Sequence, residues 1–221
     1  MTEQDATDTR ESGYLAYDSA EIDCYALIRA AGDPETLTLA LADTLDSLVQ
    51  RHPEQCPADL RVHLGGAIVW IASVFLHFAA IAALEHADGP GRTTRADRQA
   101  AAEALVLGLA RAADERRPDA ASVQRTAYRS ALALAYIALV EVTDDRPLSS
   151  FYRRHLLGLM NTYGSDGDTA HLNAIATAAR DLAVFAAFGR GLRLDDMLIR
   201  HELIAIETQE VEREDGEWGT W

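Results

Sequence analysis

Leu64–Leu84 reads LGGAIVWIASVFLHFAAIAAL, and within it only Ser73 and His77 fall outside the apolar, aromatic and Gly/Ala set. At 100° per residue, Gly65, Ala72, Ala79 and Ala83 share one side of a helix, while Ile68, Ile71, Val74, Phe75, Phe78 and Ile81 fill the other. The small side admits close approach of neighbouring helices and the bulky side fills volume. A helix apolar all round is either a protein core or a membrane span, and about 20 apolar residues satisfy both readings. The rest of the chain decides between them. Its other helical segments carry Arg, Asp and Glu on one face, as helices do when they wrap a central helix in water, and no second apolar run of that length stands out. A buried helix over 64–86 is the expectation, with a membrane span of 64–84 as the alternative.

Outward from this stretch the chain is punctuated by helix starts and stops. Asp18 and Glu21 have capping-box spacing for a short helix closed by Gly32, and Asp33-Pro34 supplies an N-cap and first-turn proline for a second. In that second helix Leu37, Leu41, Leu45 and Leu48 recur at helical spacing until His52-Pro53. The central helix starts near Pro57 and ends around His86–Asp88, and Thr94 with Asp97 opens an amphipathic helix to Arg117. Pro118-Asp119 restarts a helix whose second half, ALALAYIALV, is apolar enough to lie beside the central one. Asp145-Arg146-Pro147 opens another, ended by Gly164. The GSDGD loop then reads as a capping turn with Asp168 as N-cap, Gly189 and Gly191 end that helix, and Asp195 starts the last. No run alternates with strand period. The expected fold is all-α, a compact bundle of seven to eight helices around the 64–86 helix. Its expected organisation is a flexible acidic arm over 1–17, one helical domain over 18–212, and an acidic tail over 213–221.

Composition excludes several function classes. The formal net charge is −15 and all 20 basic residues are arginine, so direct nucleic-acid binding, which relies on clustered cations, is not expected. Cys24 and Cys56 form no CxxC pair, so neither a disulfide framework nor a thiolate metal site is indicated. The N-terminal MTEQDATDTRES is acidic where a signal peptide needs positive charge and an apolar run, which makes the cytoplasm the expected location. The DGPGRTT segment lacks P-loop spacing, and GSDGD lacks a calcium-loop pattern.

Candidate chemistry is sparse. Trp70, Ser73 and His77 project into one sector of the central helix, where they either satisfy one another or line a pocket with Tyr128, Tyr136 and His155 as co-liners. The chain has Glu85-His86 and His201-Glu202 but no Glu-x-x-His pair and no HExxH, so no metal or cofactor is expected. No GxSxG elbow occurs, and N-capping accounts for Asp195-Asp196. The tail, EREDGEWGTW, places Trp218 and Trp221 in an acidic segment, a composition suited to docking on this protein's own bundle or on a partner.

These features favour a non-catalytic helical subunit that associates with itself or with a protein partner and docks through its C-terminal acidic-aromatic tail. An enzyme or small-molecule sensor with an apolar pocket beside His77 is the alternative, and an acidic mimic of nucleic acid is the third. If the 64–84 stretch is buried in a water-soluble core, Phe75→Asp should abolish cooperative thermal unfolding. An unpaired buried carboxylate costs several kcal/mol against a total stability of roughly 5–15. Recovery of the wild-type chain with membranes after high-salt extraction is the contrary result.

Overall fold

The helix starts at Asp33 and Thr94 are set by short polar side chains ahead of an apolar run. A computed structural model describes residues 22–88, 93–116, 122–141 and 148–218. Among the described residues the chain is all-helical, with eight helices and no strand. They are α1 (22–30), α2 (Pro34–Arg51), α3 (Pro57–Asp88), α4 (Arg95–Arg116), α5 (Ser122–Glu141), α6 (Leu148–Tyr163), α7 (Ser165–Gly189) and α8 (Leu194–Trp218).

Local chemistry explains the boundaries. The Asp33 carboxylate accepts from the Thr36 backbone N–H at 2.9 Å, and Pro34 occupies the first helical position of α2. At the start of α4 the capping box is reciprocal. Asp97 Oδ2 accepts from the Thr94 N–H at 2.8 Å, and Thr94 Oγ1 accepts from the Asp97 N–H at 3.2 Å. The end of α7 is a Schellman motif: Leu192 N–H donates to Ala187 O at 2.9 Å, Gly191 N–H donates to Phe188 O at 3.0 Å, and Gly191 takes φ 64°.

One expected boundary is corrected. Asp168 is not an N-cap, because α7 already begins at Ser165 with Gly164 as its cap, at φ 64°. A left-handed glycine reverses the chain in one residue, so the acidic stretch becomes the first turn of the helix. Gly167 then lies so close to α6 that a Cβ there would stand 2.8 Å from Leu159 O. The Asp18/Glu21 box, the 1–17 arm and Trp221 lie outside the described residues. The last helix does not give way to the tail near 212 but continues to Trp218.

The core is organised by a pair of helices. α3 packs against α2, α4, α5, α6 and α7, and its most extensive partner is α7, which also meets α5, α6 and α8. Phe75, Leu76, Ile68 and Leu64 are fully buried on α3, and Ile175, Leu182 and Ala186 on α7. α5 lies on both of them. Two glycines set the spacing: Gly65 faces the Tyr152 ring of α6, and a Cβ on Gly189 would stand 2.3 Å from the Ala82 Cβ.

A second helix besides α3 is long and apolar enough to cross a membrane, Ala170–Gly189, which corrects the expectation of one such run; 61% of the apolar window in α3 and 56% of that in α7 are buried inside the bundle. Arg180 and Asp181 interrupt α7 in the sequence and mask its apolarity. In the fold neighbouring helices satisfy both. Tyr128 Oη donates to Asp181 Oδ2 at 2.5 Å, and Arg180 Nη1 donates to Arg29 O at 3.5 Å.

Gly65 generates a prediction with a defined sign. An alanine Cβ would lie 2.1 Å from Tyr152 Cζ, and Tyr152 is fully buried. Gly65→Ala should therefore destabilise the fold by about 1–3 kcal/mol, against the gain of about 0.5–1 that alanine brings to an open helical site. In a double-mutant cycle by chemical denaturation, Tyr152→Leu should relieve part of that cost. An additive cycle would show that the two residues do not press on each other.

Candidate functional site

The three residues singled out on α3 do not form a polar cluster. Ser73 is buried, and its hydroxyl donates to the Trp70 carbonyl at 2.7 Å, so it is satisfied by its own helix. Trp70 and His77 are each half-buried. Burial lowers the His77 pKa below the ordinary histidine value, and the guanidiniums of Arg98 and Arg190 lower it further. Around this end of α3 the rings interlock: His201 of α8 lies 5.1 Å from Phe75 and 5.2 Å from Phe78, and Arg190 sits over Phe78 at 4.2 Å. These contacts pin α8 to the bundle, helped by the Arg29–Glu202 ion pair.

The proposed co-liners lie elsewhere. Tyr128 is engaged with Asp181, and Tyr136 is half-buried against the core two turns further along α5. His155 belongs to the opposite end of the bundle. It neighbours His171, whose ring stacks on Tyr152, and Tyr152 faces Gly65. Gly65 and His77 are twelve residues apart on one helix, about 18 Å along its axis. The structure thus separates the His77 and His155 neighbourhoods. The side chain of Trp218 and all of Trp221 lie outside the described residues.

The residue that sequence reasoning missed is His171. It is 0% exposed, and neither of its ring nitrogens has a hydrogen-bond partner. Its ring stacks on Tyr152 at 5.2 Å and 18°, and lies 5.2 Å from the His155 ring at 47°. His155 Nε2 is also buried and unbonded. Burial, reinforced by neighbouring His155, pushes the His171 pKa down to about 3, and burial lowers His155 as well. Misplacing the start of α7 hid this residue, since an N-cap at Asp168 would put His171 in an open first turn.

Two grooves adjoin these elements. One, of about 290 Å³, lies between α5 and α6 and is lined by Thr126, Ser130, Leu134, Ile137 and His155 among others. The other, of about 450 Å³, is apolar and runs between α3 and α4 beside Phe185 of α7. Neither is lined by His77. Among the described residues no three histidines, cysteines or carboxylates converge to hold a metal ion.

The buried imidazole has a consequence in acid. Its folded pKa of about 3 lies below the unfolded value of about 6.5, so the unfolded chain takes up the proton first. The protein should keep its full stability above pH about 6.5 and lose it progressively toward pH 3, with about 2 kcal/mol lost by pH 5 from this group alone. Denaturant melts at pH 7 and pH 5 measure the difference. His171→Leu should remove most of it, and an unchanged pH slope in that variant would place the acid sensitivity elsewhere.

No protein-family model matches the chain, and no curated protein or solved structure matches it either.

Proposed function

We propose that this chain is a non-catalytic helical assembly protein that associates with copies of itself through the α3–α4–α7 face. The observation that carries the reading is the apolar groove of about 450 Å³ on that face, with Phe188 beside Phe185 on α7 and 84% exposed. On α4 the groove is built from Ala104, Gly108 and Ala112, small residues at every fourth position. Such spacing lets another helix approach closely. Ala83 belongs to the small side of α3, yet it is exposed in the groove floor instead of lying under a described helix.

A second copy is the favoured occupant because knob and groove occur on one face. In a two-fold pair, the same patch on each subunit meets itself, and Phe188 and Leu107 of one copy can enter the groove of the other. The net charge of −15 opposes such pairing at long range, so association should strengthen as salt screens it. The segment over 213–221, with Trp218 and Trp221, is assigned within this proposal as an accessory docking segment, and the cytoplasm as its setting.

Gly108 allows a clean test, since a Cβ there meets nothing within 4 Å. Gly108→Ala should raise the stability of the isolated subunit by about 0.5–1 kcal/mol through helix propensity. Gly108→Glu should leave the fold intact while placing a charge in the groove. Sedimentation equilibrium should show the wild type as a concentration-dependent oligomer favoured by salt, and the glutamate variant as a monomer. A wild type that is monomeric at every concentration and salt, or a variant that assembles unchanged, would overturn the reading.

A further inference from the structure

We propose that α6 is an acid-releasable strap, whose contact with α3 and α7 holds three neutral histidines, His63, His155 and His171, that take up protons when the helix lifts away. The device is independent of the assembly face. Each histidine belongs to a different helix of this contact, α3, α6 and α7 in turn. Each also carries a buried ring nitrogen without a hydrogen-bond partner: Nδ1 of His63, Nε2 of His155 and both nitrogens of His171. His155 and His171 lie 5.2 Å apart, and Tyr152 of α6 stacks on His171. His63 stands one turn after Asp59, whose ion pair with Arg153 ties α6 to α3.

The closed contact does not accommodate these rings as imidazolium. A protonated imidazole donates from both nitrogens, and the buried nitrogens have no acceptor beside them. Two such cations 5.2 Å apart would also repel each other in a dry contact. Burial accordingly lowers the pKa of all three, that of His171 to about 3, while a ring released to water returns to about 6.5. The seated helix is therefore favoured in full above pH about 6.5, and release is favoured progressively as the pH falls toward 3. The surrounding carboxylates are engaged or stand apart. Asp59 on α3 is paired with Arg153 and Asp114 with Arg129 of α5, while Glu54 faces His52 at 3.7 Å. Arg154 adds a further cation on α6, and Asp166 and Asp168 occupy the first turn of α7.

α6 is built to move as a unit. Among its described side chains Tyr152, Leu156 and Leu159 are the buried apolar anchors, whereas Leu157 and Met160 face solvent. Its ion pair with Asp59 is exposed and holds it weakly. Gly164, left-handed at φ 64° and with nothing within 4 Å of an added Cβ, forms a pivot between α6 and α7. The mutual packing of α3, α5 and α7 does not pass through α6, so it persists when the helix lifts. An element with few buried anchors opens at a lower free energy than the core. Release uncovers the Gly65 side of α3 and the first turns of α7, away from the α4 groove.

Hydrogen exchange of the full chain, read by mass spectrometry at pH 7, 6 and 5, separates opening of α6 from opening of the middle of α3. This window lies above the carboxylate range, so the ion pairs keep their charge. α6 should be less protected than the middle of α3 at every pH. Its protection factor should fall about 25-fold between pH 7 and pH 5 through His171 alone, and further with His155 and His63. His171→Leu should remove most of the fall and His155→Asn part of it. His155 is half-buried, so His155→Asn carries the test if His171→Leu fails to fold. His201→Gln, on α8 against Phe78, should leave the α6 response unchanged. Exchange of α6 only together with the middle of α3, a protection factor flat from pH 7 to pH 5, a fall that survives both substitutions, or one lost with His201→Gln would overturn the proposal.

Discussion

The close approach of α3 and α7 is the constraint on which the rest of the structure depends. Ala82 and Gly189 bring the two backbones together at one end, and Gly65 admits the Tyr152 ring of α6 beside them at the other. Once these helices are in contact, α5 and α6 fit onto both, while α2 and α4 complete the flanks of α3. Burial of Phe75, Leu76, Ile175 and Leu182 supplies the apolar driving force. Small residues determine where it can be collected, because dispersion contacts weaken within a fraction of an ångström of separation.

Packing two apolar helices this closely obliges their few polar groups to find partners inside the bundle. Asp181 accepts from Tyr128, Arg180 reaches the Arg29 carbonyl, and Ser73 turns back to its own helix. His171 departs from this pattern, as do His63 Nδ1 on α3 and Asn173 Oδ1 on α7. His171 occupies the α6–α7 contact with no bond to either nitrogen, at a place where a leucine would fill similar volume without a polar penalty. A protein that retains an imidazole there, beside a second one and behind a solvent-facing cleft, carries a cost that packing does not explain.

The two features that point toward function sit on different faces. The apolar groove lies against α4 and the exposed end of α7, whereas the histidine pair lies between α6 and the start of α7. α7 links them. Its first two turns carry His171 and its last carries Phe185 and Phe188. His171 and the two phenylalanines are therefore carried by one continuous helix.

Much of the architecture was legible in the sequence because helix signals are local. Asp33-Pro34 and the Thr94/Asp97 box specify their own hydrogen bonds within one turn, and the apolarity of 64–84, interrupted only by Ser73 and His77, marks a helix surrounded by others. The positions of Leu37, Leu41 and Leu48 likewise follow from helical period alone, and all three are buried. The start of α7 was not legible, because the same GSDGD residues serve equally as a turn or as a first helical turn. Gly164 resolves the choice only when Gly167 finds α6 close enough to accept it. The histidines show the same division. Sequence identified His77 and His155 as candidate pocket liners, but which imidazole lies fully buried depends on how α6 crosses α7, a relation between distant segments. Local hydrogen bonding and periodicity determined the helices; the meeting of Tyr152, His155 and His171, and the groove left open beside Gly108, were decided by tertiary packing alone.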